Sequence, residues 1–222
     1  GNERVLRARL NDAKFYYEKD LKFPLASYAD KLKGVVFQEK LGTSYEKVQR
    51  FTRLAIFVGA NVGFCDYLQG TEQQEDFLTD GYNPKSYNTD PSKTNGQWFN
   101  KLILGRAAML CKADLVTGMV GEFPKLQGIM GREYALKSGE ASDVADAILE
   151  HYMPTSAGGD LPVCLPGAII SIADKMDTIC GCFGVGLIPT GGTDPYGLRR
   201  QALGIIAIII DKNFVGYYCN NN

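Results

Sequence analysis

Between Phe99 and Phe123 the apolar residues fall on two sides of one helix, and this double stripe restricts the possible folds more than any other segment. Leu104, Ala108, Cys111 and Leu115 recur at steps of three or four, while Leu102, Met109, Ala113, Val116 and Val120 form a second line on nearly the opposite side. Only a narrow strip with Arg106, Asp114 and Thr117 stays polar. A helix that is apolar on two sides is packed between neighbours, so this one is expected at the centre of the fold.

The remaining periodicity is helical as well. From Leu165, the residues Ile169, Ile172, Met176, Ile179 and Phe183 give one continuous stripe, ended by Pro189 and the glycines at 191 and 192. Thr193 or Asp194 then caps a further helix with Pro195 in its first turn. Helices are also expected over Glu3 to Lys19, Tyr45 to Val58, Leu126 to Leu136 and Ser142 to Tyr152. Strand signals are scarce, so the expected fold is all-α, a multi-helix bundle. The stretch 66–97 breaks the pattern: acidic residues occur throughout it, and Gly, Asn, Ser and Pro in its second half, so it reads as a solvated surface insertion.

Charge and cysteine use narrow the function classes. Twenty-four basic and 25 acidic residues leave a net charge of −1, so any nucleic-acid contact must come from a local patch. No apolar run is long enough to span a bilayer. The six cysteines include no Cys-x-x-Cys pair and sit mostly in apolar stretches, which reads as buried thiols of a cytoplasmic protein. There is no G-x-x-x-x-G-K-[ST] loop, and the glycines from Gly181 to Gly186 have the wrong spacing for a dinucleotide fingerprint. His151, the single histidine, reads as a partly exposed residue at a helix end.

Three blocks carry a resemblance. They are LPGAIISIADKMDTICGCFGVGLIPTGGTDPYGLRRQALG (Leu165 to Gly204), KADLVTGMVGEFPKLQGIMGREYA (Lys112 to Ala135), and GNERVLRARLNDAKF followed by LKGVVFQEKLGTSYEK (Leu32 to Lys47). In this order they resemble the β subunit of the bacterial two-subunit glycyl-tRNA synthetase, over most of the chain outside the 66–97 stretch. The resemblance implies a segment of a longer β chain, residues 1–222 forming a helical domain similar to the HD superfamily of metal-dependent phosphohydrolases. It further implies a cytoplasmic complex that joins glycine to its tRNA. The partners would be glycine tRNA, the α subunit and the rest of the β chain, with no membrane. ATP with magnesium would serve the holoenzyme, and this segment would hold no cofactor.

On that resemblance the His-Asp position reads Ala113-Asp114 and the later aspartate matches Asp174. The imidazoles are missing, so two carboxylates cannot rebuild the usual metal shell, and no catalytic or metal site is expected. Lys112, Asp114, Arg132, Asp174 and Asp177 are expected instead to form a structural polar network, with Lys112, Arg106 or an exposed helix N-terminus as donors to Asp174 and Asp177. Arg4, Arg7, Lys33, Arg199 and Arg200 are the candidate tRNA contacts, the last two beside a Pro-Thr-Gly-Gly loop that offers amides to a phosphate. Each of these also reads as a helix ion pair or a packing residue. Three functions stay open at this point: support or positioning of tRNA, a purely architectural module, and a phosphohydrolase using carboxylates alone.

Overall fold

The computed structural model describes residues 2–64 and 96–214. The 66–97 stretch therefore lies outside the described residues, apart from its last two, which open α4. Helix α1 (Asn2–Asp20) leads through the short α2 (Ala26–Ala29) and a 3-10 turn to a small hairpin, β1 (Val36–Gln38) paired antiparallel with β2 (Gly42–Thr43). Then come α3 (Ser44–Asn61), α4 (Gly96–Leu110), α5 (Gly118–Glu122), α6 (Ile129–Lys137), α7 (Ser142–Glu150), α8 (Leu165–Gly184) and α9 (Leu198–Asp211). The fold is an all-α bundle.

Local chemistry explains the boundaries. Thr43 and Glu46 form a reciprocal capping box that starts α3 directly off the hairpin. Pro166 lies in the first turn of α8, where its missing N–H costs nothing. At α9 the expected cap works three residues later than expected. The Asp194 carboxylate accepts from Leu198 N at 2.8 Å and Arg199 N at 3.0 Å. The chain first turns through Pro195 and a left-handed Gly197 (φ +63°), so the helix begins at Leu198 rather than at Pro195.

The 99–123 segment is central but not continuous. Leu104, Ala108, Cys111 and Ala113 are fully buried, Met109 and Val120 nearly so, and α4 packs against α3 and α7. The helix stops at Leu110, a 3-10 turn follows over 113–116, and α5 restarts at Gly118. Thr117 causes the restart: its hydroxyl donates to Asp114 O at 2.7 Å and accepts from Val120 N, capping α5. The polar strip is also buried rather than solvated. Arg106 closes a forked pair on Glu140, and Asp114 accepts from Gly128 N at 2.5 Å.

Helix α8 is the second axis, in contact with α3, α7, α9 and α4. Its Ile169 and Ile170 point to different sides and both are fully buried, whereas Phe183 at its far end is half exposed. No helix among the described residues is long and apolar enough to cross a membrane. Of the described cysteines Cys111 and Cys182 are buried, but Cys180 is exposed, contrary to the expected burial, because it falls on the outer face of α8.

Candidate functional site

The polar residues of α3 and α8 meet across the bundle. Lys47 lies within the apolar stripe of α3, one turn before Phe51, so packing carries its side chain inward instead of into water. Its ammonium lies 2.8 Å from Asp174 Oδ1 and 3.1 Å from Asp177 Oδ2, and it also donates to Thr178 Oγ1. Lys112, on the turn after α4, reaches Asp174 Oδ2 at 2.8 Å. Arg50 grips Asp177 with two bonds from the solvent side.

Thus Lys112, Asp174 and Asp177 come together, and Asp114 lies beside them, accepting from Gly128 N. Arg132 stands apart: it pairs with Asp146 at 2.6 Å on a half-exposed surface. Arg106 goes to Glu140 and leaves Asp177 to Lys47 and Arg50. Sequence reading missed these two donors; the available signal was Lys47's position in an otherwise buried stripe.

Electrostatics follow from this geometry. Burial alone would raise the Asp174 carboxyl, but the Lys112 and Lys47 ammoniums outweigh it and hold the group well below the usual carboxylate range. Asp114 is different. Burial pushes it up to about 6, only partly offset by the Gly128 amide and Lys112. An ammonium at each Asp174 oxygen occupies the positive position a divalent ion would need, and Ala113 offers no donor. These residues do not fit a metal. Among the described residues no three His, Cys, Asp or Glu side chains converge as a ligand set.

A cavity of about 380 Å³ opens beside the network, between α3, α8 and the start of α9. Lys47, Lys112, Asp174, Lys175 and Arg200 line it, with Phe37 and Tyr196 supplying an aromatic edge whose rings are 6.3 Å apart. His151 also lines it and is fully buried, not partly exposed as its helix-end position implied. The reason is local. His151 continues the buried stripe of Val144, Ala147 and Ile148, and Ser171 and Lys175 both donate to Met153 O, which draws the end of α7 onto α8.

The candidate tRNA contacts fall on three elements. Arg4 and Arg7 project from α1, where Arg7 pairs with Glu3. Lys33 pairs with Asp30 and lies over the Tyr45 ring. Arg199 and Arg200 are exposed on the first turn of α9; Arg199 donates to Gly191 O, and Arg200 is the member of the set that reaches the cavity. Helix α1 packs mainly on α5 and α9 on α8, so the structure does not gather the five into one cluster.

The fold is thus an all-α scaffold holding a buried ion network and a cationic cavity, with no metal-ligand set among the described residues. The family model for the glycyl-tRNA synthetase beta subunit matches residues 1–217, and the chain belongs to that family. It is 57% identical over 212 residues to the glycine–tRNA ligase beta subunit of Geobacter sulfurreducens, 55% over 214 to that of Geobacter metallireducens, and 51% over 214 to that of Syntrophus aciditrophicus. Each match covers 96% of this chain and 26% of the relative, so the chain spans about a quarter of the length of these proteins.

Proposed function

We propose that this chain serves the ATP- and magnesium-dependent charging of tRNA with glycine in the cytoplasm, by helping to bind or position the tRNA and without a catalytic centre of its own. Beyond family membership, one observation supports this reading. Arg199 and Arg200 stand exposed at the opening turn of α9, next to a glycine-rich loop, where two adjacent guanidinium groups are within reach of a backbone phosphate. The positions Ala113, Asp114 and Asp174 act as a retired HD-type site on this reading, kept as scaffold and wired with lysines instead of metal ligands.

The test is a titration of the purified chain against labelled glycine tRNA and an unrelated tRNA at two salt concentrations. Binding that weakens with salt, and whose salt slope falls by about 1–2 in Arg199→Ala/Arg200→Ala, supports the reading. Absence of binding to either tRNA at low salt overturns it.

A second reading rests on a different observation. On α9, Leu203, Ile206 and Ile210 lie on one face and are each more than half exposed; Leu6 and Leu10, one turn apart, form a smaller exposed apolar pair on α1. Such faces suit docking against protein, here the α subunit or the rest of the β chain. Ile206→Glu/Ile210→Glu in the full β chain should then weaken assembly in sedimentation, and unchanged assembly removes this reading.

A further inference from the structure

We propose that the cavity between α3, α8 and α9 binds a phosphate ester that also carries a hydroxyl group, in chemical terms a phosphorylated sugar. The inference rests on the cavity itself and not on the tRNA reading.

Charge comes first. Four cationic side chains line the space, Lys47, Lys112, Lys175 and Arg200, against one carboxylate, Asp174. Lys47 and Lys112 are matched by Asp174 and Asp177. Lys175 and Arg200 have no carboxylate within ion-pair distance among the described residues, and Lys175 is only 7% exposed. Its ammonium rests on neutral oxygens alone, Met153 O at 3.0 Å and Ser171 Oγ at 2.5 Å. A buried ammonium left in that state is costly, and burial pushes its pKa down to about 8; Asp174 opposes the shift, and Lys112 and Arg200 add to it. Two unmatched positive charges at one opening suit one phosphate monoester dianion, which guanidinium and ammonium groups both bind strongly.

The hydroxyl requirement comes from His151. Its Nδ1 lies 2.6 Å from Ile148 O, and a carbonyl can only accept, so Nδ1 carries the proton. Nε2 is then a bare lone pair, fully buried in a cavity-lining residue and without any hydrogen-bond partner. Burial, with Lys112 adding to it, lowers the imidazole pKa well below its ordinary value, so the ring stays neutral. A neutral acceptor does not hold an anion; it takes a hydroxyl donor. One exposed and one buried cation, Arg200 and Lys175, together with an unpartnered acceptor in the same cavity therefore ask for both features in one ligand. The cavity, about 380 Å³, lies within the range of small-ligand sites, roughly 300–1,000 Å³. The exposed Thr155 and Arg200 on its lining leave a route in from solvent.

The experiment uses ribose 5-phosphate, ribose and inorganic phosphate on the purified chain, by calorimetry and by NMR of the imidazole. Because the chain has one histidine, His151 reports without overlap. Ribose 5-phosphate should bind, shift the His151 Nε2 signal, and lose at least tenfold in affinity in Lys175→Met. Arg200→Ala, an exposed substitution that leaves the core untouched, should lose at least fivefold. Inorganic phosphate should bind more weakly and leave Nε2 unmoved, and ribose should not bind. A short RNA compared with and without its 5′-phosphate separates the sources: competition only by the phosphorylated form assigns the site to an RNA end, and no competition by either assigns it to a free sugar phosphate. Unchanged affinity in both variants, or a His151 signal indifferent to ribose 5-phosphate, overturns the proposal. Retention of tRNA binding in that case leaves the functional reading standing.

Discussion

Asp174 sits between two ammonium groups, and all three are nearly sealed from water. Removing the carboxylate strands both lysines, so Asp174→Ala should cost about 3–5 kcal/mol in urea unfolding; a loss within 1 kcal/mol would show that water already screens them. Asp174 and Asp114 respond to acid in opposite senses. The depressed Asp174 contributes stability that is complete above the unfolded value of 3.8 and is lost as pH falls below it. Asp114 is raised from 3.8 to about 6, so between those values the folded chain binds a proton the unfolded chain has released. That term lowers stability as pH rises from about 4 to about 6, by on the order of 2–3 kcal/mol. Asp114→Asn keeps an acceptor for Gly128 N and should remove that slope, visible as a flatter curve of Tm against pH.

At the scale of the element, periodicity located most of what folded. The stripes of α3, α7 and α8 could be read directly, because a buried helix face repeats in the chain at the period of the helix. The break after Leu110 could not, since the apolar pattern runs straight through it. What ends the helix is a set of hydrogen bonds, from Thr117 to Asp114 O and from Gly128 to Asp114 Oδ2, and hydrogen bonds leave no periodic trace. Thr117→Ala deletes the α5 cap and one bond of that set, and should cost about 1 kcal/mol, measured as a shift in the urea midpoint with an unchanged slope. No measurable shift would mean that the 3-10 turn holds without it.

For the whole molecule, two axial helices and their neighbours share one core, so the cost of a core deletion should be global. Ile170→Ala removes a fully buried side chain from α8 and should lower stability by about 2–5 kcal/mol, with near- and far-UV signals melting together; separate transitions would reveal independent halves. The candidate site was only half legible at this scale. Asp174 and Lys112 stood out because polar residues in apolar helices need partners. Lys47 and the cavity did not, because they exist only once α3, α8 and α9 are brought together. His151 misled for the same reason: a residue at the end of a short helix looks exposed until the following strand of chain is folded over it.

The span of the Lys47–Asp174 pair has a consequence in time. Its partners are 127 residues apart in sequence, whereas α6 and α7 adjoin one another and pack closely with little chain to close. Loop closure over so long a distance is entropically slow, so neighbouring helices should dock early and the lysine–aspartate lock should engage after the rate-limiting barrier. In stopped-flow chevrons Asp174→Ala should therefore leave the folding limb nearly in place and raise the unfolding limb. The network would then act less as a guide to the native state than as a latch that slows escape from it.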